Sequence, residues 1–235
     1  MQVRLTGVAD PRSPAYTHLE GAGRNLEEMA RDAGVQLEFK AVRMDLEAEE
    51  SLESLESLRK AAGVGVMGLA VNFSFQLHRM PDESVSTSNP RDRLLRAVRA
   101  MRPRLVTLVE HEASTSTSPF YPRLVEALSY FGAVLESLEG FHAPRVRAAW
   151  RARLARDIMN IVSCEGVERW ARYEVFGKWK SRMAMAGFEP VRLRRTGGRI
   201  FDGVLPGSFF SVREDSGALF LDWRDRALVA ASAWK

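Results

Sequence analysis

The chain has 235 residues, 46% apolar and 27% charged, with a formal net charge of +4. That length holds one large domain or two small ones, and no stretch approaches the roughly 18 uninterrupted apolar residues of a membrane span. Cys164 is the only cysteine, and His18, His78, His111 and His142 are far apart, which excludes an internal disulfide and argues against a metal site. The opening residues 1–5 lack the apolar stretch of a signal peptide, so the chain is expected to stay inside the cell.

Residues 3–8 are rich in β-formers and read as a strand. Leu19, Ala22, Leu26, Met29 and Ala33 recur at helical spacing, with Gly34 as a stop. Residues 35–42 alternate as a strand. The following acidic stretch holds Leu52, Leu55 and Leu58 and reads as a short amphipathic helix or a solvated loop. Residues 66–77 form a near-continuous apolar run, expected to be a strand buried on both faces. Asn89-Pro90 opens a helix, with Asn as cap, Pro at the first position and Asp92 in the first turn. Leu94, Leu95, Val98 and Met101 form its apolar face. Pro103 stops it, and residues 105–109 are the next strand.

Leu124, Leu128, Phe131, Leu135 and Leu138 predict a helix with 4-3-4-3 spacing, too short for an established coiled-coil seam. Pro144 opens another helix, with Val146, Trp150, Leu154 and Ile158 inward. Phe176, Trp179 and Met183 lie on the next, which stops at Gly187. Residues 188–193 are a strand, and after an Arg/Gly-rich loop residues 208–212, 218–223 and 228–234 form three more. Asp215-Ser216-Gly217 turns the first hairpin. This order predicts an α/β fold: a mainly parallel, doubly wound sheet of methyltransferase-like type, helices on both faces, and a C-terminal antiparallel meander at its edge.

Charge is unevenly spread. Residues 44–58 carry six acids and no base, and residues 91–104 carry six arginines against Asp92. Residues 145–156 and 192–199 are also basic. Such clusters suit nucleic acid or an acidic partner, but solvated helix faces are favoured, because no aromatics interleave with the arginines for base stacking. Gly63, Gly65 and Gly68 spell G-x-G-x-x-G but precede a strand and follow a helix, the reverse of a nucleotide-binding loop. Glu110-His111-Glu112 follows a strand and offers acid and base groups. With no nucleophile or metal set nearby, hydrogen bonds that fix a loop are the favoured role.

Several stretches resemble the GRAS family of plant regulators. Residues 71–85, VNFSFQLHRMPDESV, resemble the segment leading into its PFYRE region. Residues 105–113, LVTLVEHEA, are similar to its V-x-x-V-E-Q-E-A stretch, with His111 where Gln is usual. Residues 120–139 resemble its F-x-x-R-F-x-E-A-L-x-Y-Y segment. Residues 156–166, RDIMNIVSCEG, resemble R-E-I-x-N-V-V-A-C-E-G, with Asp157 for Glu and Ser163 for Ala. Trp179-Lys180-Ser181-Arg182-Met183, then Gly187-Phe188, resemble the start of the SAW region, and Ala231-Ser232-Ala233-Trp234 its end. Asp222 stands where the family usually has Gly before Trp223, and residues 194–205 depart from the pattern. Residues 80–85 and 173–185 are most similar to the SCARECROW-like 8 branch.

The resemblance covers nearly the whole chain and implies a partial GRAS domain. Residues 1–78 would follow the V-H-I-I-D motif, residues 79–166 be PFYRE-like and residues 167–235 SAW-like. The resemblance implies that the family's leucine-rich region and V-H-I-I-D motif, with its cofactor-facing turn, fall outside this stretch. No catalytic, cofactor or metal residue is expected. The residues that carry the motifs, with structural or interaction roles, are Arg156, Asp157, Asn160, Cys164, Glu165, Gly166, Trp179, Arg182, Met183, Gly187, Phe188, Trp223, Ser232, Ala233 and Trp234. The implied function is transcription regulation in the nucleus, through other GRAS proteins and transcription factors as partners, as a homo- or heterodimer, with at most weak DNA binding and no membrane. The alternatives are a methyltransferase-like, small-molecule-binding enzyme, or a truncated competitor of full-length relatives.

Overall fold

A computed structural model describes residues 2–10, 15–48, 50–61, 68–139, 144–194 and 209–235. The chain divides into two compact units, residues 1–67 and 68–235. Gly63 and Gly65, residues 195–205 and Ser208 lie outside the described residues.

In the first unit, strands β1 (Gln2–Ala9) and β2 (Gln36–Arg43) pair in parallel, Gln2 opposite Gln36, with helix α1 (Ala15–Asp32) between them in sequence. The ring of Phe39 lies so close to Gly23 that a Cβ there would meet it at 2.1 Å, so glycine is what lets α1 approach β2. The Glu27 carboxylate accepts a hydrogen bond from Phe39 N at 2.8 Å. Gly34, with φ of 70°, ends α1 as the sequence predicts. Of the two readings of the acidic stretch, a helix forms: α2, Glu50–Ala61.

The second unit holds a six-stranded sheet. Strand β3 (Ala70–Ser74) leads through helix α3 (Pro90–Ala100) to β4 (Leu105–His111), and the strands pair in parallel with Ala70 opposite Leu105. The Asn89 side chain caps α3 by accepting from Asp92 N at 3.2 Å, with Pro90 at the first position, as expected. Helices α4 (Phe120–Glu139), α5 (Pro144–Ser163) and α6 (Phe176–Met185) follow. After them come β5 (Pro190–Val191), β6 (Phe210–Asp215), β7 (Ala218–Trp223) and β8 (Arg226–Trp234). The strand order is β3-β4-β8-β7-β6, with β5 also on β8.

The sheet is therefore mixed, not mainly parallel. A parallel pair needs a long crossover, and in this unit the described strands have one, through α3. The later strands are joined by tight turns that force antiparallel pairing. Ser216 and Gly217, both at positive φ (52° and 88°), turn β6 into β7, and Arg224 at φ of 51° begins the turn into β8. The meander does not simply trim an edge: β8 inserts beside β4, with Val106 opposite Trp234.

Two burial expectations are also corrected. β3 lies at the end of the strand order and leaves Ala70, Asn72 and Ser74 exposed, so it is not buried on both faces. α4 turns Arg123, Ala127, Tyr130 and Phe131 inward; of the 4-3-4-3 row, Phe131 is in the core, Leu135 and Leu138 pack against it, and Leu128 is left 68% exposed. Val146 and Trp150, read as inward, are 50% and 49% exposed, and α5 buries itself from Leu154 onward. Tyr130, Phe131, Leu154, Ile161, Tyr173, Trp223 and Leu228 form one core between α4, α5 and the end of the sheet.

Candidate functional site

The site is built where β3 and β4 end. Phe75 takes a positive φ of 53°, and a short 3-10 turn, Leu77–Arg79, follows. Gln76 gives that turn no side-chain cap. Glu110, at the end of β4, does so instead: it accepts from Leu77 N at 2.8 Å and His78 N at 3.3 Å, and its other oxygen meets His78 Nδ1 at 2.7 Å. His111 Nδ1 meets the Tyr130 hydroxyl at 2.8 Å, and its ring stacks on Tyr173 at 4.3 Å. Burial, and then the neighbouring His78, Arg153 and Arg79, hold the His111 imidazole well below its ordinary pKa, so it stays neutral. Glu112 accepts from Phe176 N at 2.8 Å, the first residue of α6. All three groups of the Glu-His-Glu run are thus engaged in fixing the backbone and the core.

Beyond the 3-10 turn lies a buried ionic junction. Asp82 accepts hydrogen bonds from Ser84 N and Ser116 Oγ and faces Arg91, Arg172 and Arg182 at 3.4, 3.8 and 3.8 Å. Arg182 forks onto Glu174, with Nε to Oε2 at 2.6 Å and Nη2 to Oε1 at 2.8 Å. Its remaining donors reach Glu83 at 2.9 Å and Asp92 at 2.9 Å. Arg91 donates to Met80 O at 2.8 Å, lies 3.4 Å from Glu174, and stacks 5.3 Å from the centre of the Trp179 ring. Burial pulls the Asp82 pKa upward, but the hydrogen bonds of Ser84 and Ser116 and the charges of Arg91 and Arg172 outweigh it and hold it down to about 2. Burial pulls the Arg182 pKa downward, yet the bonds to Glu174 and Glu83 leave it raised. The junction ties residues 80–92 to residues 169–182.

The sequence-predicted residues divide around this junction. Trp179, Arg182 and Met183 are buried on one face of α6. Asp157 accepts from the Tyr173 hydroxyl at 2.7 Å, and Asn160 clamps the segment after α5 by donating to Glu168 O and accepting from Ala171 N, both at 2.8 Å. Gly166, at φ of 54°, offers its carbonyl to Arg172 at 2.9 Å. Glu165 is exposed and pairs with Arg123, whose Nε donates to Ile161 O at 2.9 Å near the end of α5. Arg156 is exposed, and Cys164 is half-buried with a free thiol. Gly187, at φ of 89°, accepts from Arg99 at 2.7 Å, and Phe188 is buried beneath Arg99. In the meander, Trp223 donates to Glu136 at 3.2 Å, and Trp234 donates to Ser232 Oγ at 3.0 Å with Ala233 buried between them.

Sequence reasoning missed Asp82, Arg91, Arg172 and Glu174. Arg91 was counted in a solvated basic face, and it is fully buried. The signal was present: Arg91, Leu94, Leu95 and Val98 share a helical stripe, so this arginine stands on the apolar face of α3. Among the described residues no group of three or more His, Cys, Asp or Glu is placed to hold a metal ion, and no helix is long and apolar enough to cross a membrane.

Residues 1–235 match the GRAS domain family. The chain belongs to that family. This GRAS chain is 42% identical over 243 residues to Scarecrow-like protein 1 of Arabidopsis thaliana, covering 100% of the chain and 40% of that protein. It is 40% identical over 246 residues to Scarecrow-like transcription factor PAT1 of Arabidopsis thaliana, covering 100% and 48%. To DELLA protein 2 of Medicago truncatula it is 33% identical over 238 residues, covering 99% and 43%. A crystal structure of SCL7 in Oryza sativa superposes with a TM-score of 0.81 at 29% identity, over 100% of this GRAS chain and 65% of that one. The GRAS chain thus spans about half or less of the length of these curated relatives.

Proposed function

We propose that the chain regulates transcription in the plant nucleus by binding protein partners, other GRAS proteins and transcription factors among them, and not by catalysis. The observation that carries this reading is the use made of Glu110, His111 and Glu112. They sit at the carboxyl end of a strand, where an α/β enzyme would place its chemistry, and each is engaged with backbone or core. The buried junction is consistent with a structural role: it ties residues 80–92 to residues 169–182, stretches that the proposal assigns to the PFYRE-like and SAW-like regions. That one relative is the Scarecrow-like transcription factor PAT1 supports the assignment. The β3-α3-β4 crossover is read as the remnant of a methyltransferase-like core. Dimerisation through this domain belongs to the proposal, and so does weak, salt-sensitive DNA contact. Arg91 is withdrawn from that contact because it is buried.

Co-purification of the chain with a Scarecrow-like protein, alongside calorimetric titration with S-adenosylmethionine, tests the reading. Stable complex formation without cofactor binding is expected. Saturable micromolar binding of S-adenosylmethionine, or methyl transfer from it, would sink the proposal.

A further inference from the structure

Four cationic side chains converge on one short loop, Ser114 to Pro119, that none of the motifs above explains. Arg169 donates to Thr115 O at 2.5 Å, Arg172 approaches Ser116 O at 3.4 Å, Arg123 donates to Ser118 O at 3.1 Å, and Lys178 donates to Thr117 Oγ1 at 2.7 Å. The carboxylates facing these cations are the exposed Glu165, on Arg123 and Arg169, and the buried Asp82, which Arg172 shares with Arg91 and Arg182. Arg169 Nε is buried without a hydrogen-bond partner. Burial and the charges of Arg172 and Arg123 pull the Arg169 pKa down to about 10, the mark of a crowded positive region. The loop is fixed, because Thr115 N and Ser116 N both donate to Tyr173 O at 3.0 Å, yet the Thr117 side chain is exposed. It also leads directly into α4, whose first turn carries no acidic residue.

We propose that Thr117 is a phosphorylation site whose phosphate is held by Lys178 in the positive field of Arg123, Arg169 and Arg172. A protein kinase moves the γ-phosphoryl group of ATP to Thr117 Oγ1. The new O–P bond forms as the bond to ADP breaks, and the hydroxyl proton leaves to the kinase base. Two negative charges, or nearly two, then stand where the hydroxyl accepted from Lys178, and beside the uncompensated start of α4. The modification would stitch the α4 entrance to α6 through Lys178.

The test has two arms. The chain is incubated with plant nuclear extract and ATP, and phosphopeptides are mapped by mass spectrometry. Incorporation at Thr117, absent in Thr117→Val, is expected. Phosphate only at other exposed hydroxyls such as Thr87 and Ser88, or none at all, overturns the proposal. In the second arm, phosphothreonine is placed at position 117 by genetic encoding and its phosphate is titrated by phosphorus NMR. The second phosphate pKa is expected to fall by about half a unit below its usual value near 6, and to return in Lys178→Met. A titration identical to that of the free loop peptide, in a chain whose circular dichroism shows it folded, overturns the clamp.

Discussion

Three guanidinium groups converge on Asp82, and that fixes how it must respond to acid. Its carboxyl is held down to about 2 in the folded chain, below the ordinary value of 3.8. A depressed carboxylate contributes stability that is present above the unfolded pKa and is lost as pH falls through the folded one. The contribution is roughly 2 kcal/mol and should vanish between about pH 4 and pH 2. Urea melts across that window should show the loss, and Asp82→Asn should flatten it. At pH 7 the same substitution leaves Arg91, Arg172 and Arg182 facing one another with less countercharge, at a cost of about 3–5 kcal/mol. An unchanged urea midpoint at neutral pH would mean that Glu174, Glu83 and Asp92 suffice. A second residue makes the same point about compensation. Asp222, where the family usually has glycine, sits at a register shift between β7 and β8. Arg213 Nε, across the hairpin, donates to it at 3.0 Å, so the departure brings its own partner. Arg213→Met should therefore destabilise the hairpin by about 1 kcal/mol, since Asp222 is largely buried, and Arg213→Met in an Asp222→Gly background should not.

At the scale of elements, helix α4 separates pattern from packing. Leu128 is exposed, while Phe131 lies in the core against Tyr130 and Tyr173. Leu128→Ser should change stability by less than about 0.5 kcal/mol, and Phe131→Ala should cost about 3–5 kcal/mol in urea denaturation. Equal, large losses from both would show Leu128 to be as tightly packed as Phe131. The periodicity alone could not decide this, because α4 is apolar on more than one side. Its buried stripe runs through Arg123 and Ala127, which a search for large apolar residues passes over. The cap of α3, the stop at Gly34, the β6–β7 turn and the buried face of α6 were all legible, since each depends on local backbone chemistry or on a single apolar stripe. The ionic junction was not. Its partners are separated by up to 99 residues, as in the Arg182–Glu83 pair, and only an arginine standing on an apolar stripe betrays it beforehand.

At the scale of the whole molecule, the C-terminal strand joins the parallel and antiparallel parts of the second unit. Within the last two residue pairs of β8, Ala233 and Trp234 face β4 on one side and β5 on the other, Trp234 opposite both Val106 and Pro190. The chain end is held further by paired backbone bonds between Lys235 and Glu189, each 2.9 Å. Strand β4 must wait for residues more than a hundred positions later before its second neighbour exists, a non-local pairing that slows folding. Trp234 is almost completely buried, and its indole N–H is satisfied by Ser232 on the same face. Truncating a buried Trp to Ala costs about 3–5 kcal/mol, against a total domain stability of about 5–15 kcal/mol. Trp234→Ala should therefore lower the melting temperature, the soluble yield and partner binding together. Trp234→Phe, which keeps most of the ring volume but leaves Ser232 without its donor, should recover much of the loss. A Trp234→Ala chain that lost partner binding while its melting temperature and circular dichroism stayed unchanged would make Trp234 a contact residue for the partner instead of the clasp that closes the sheet.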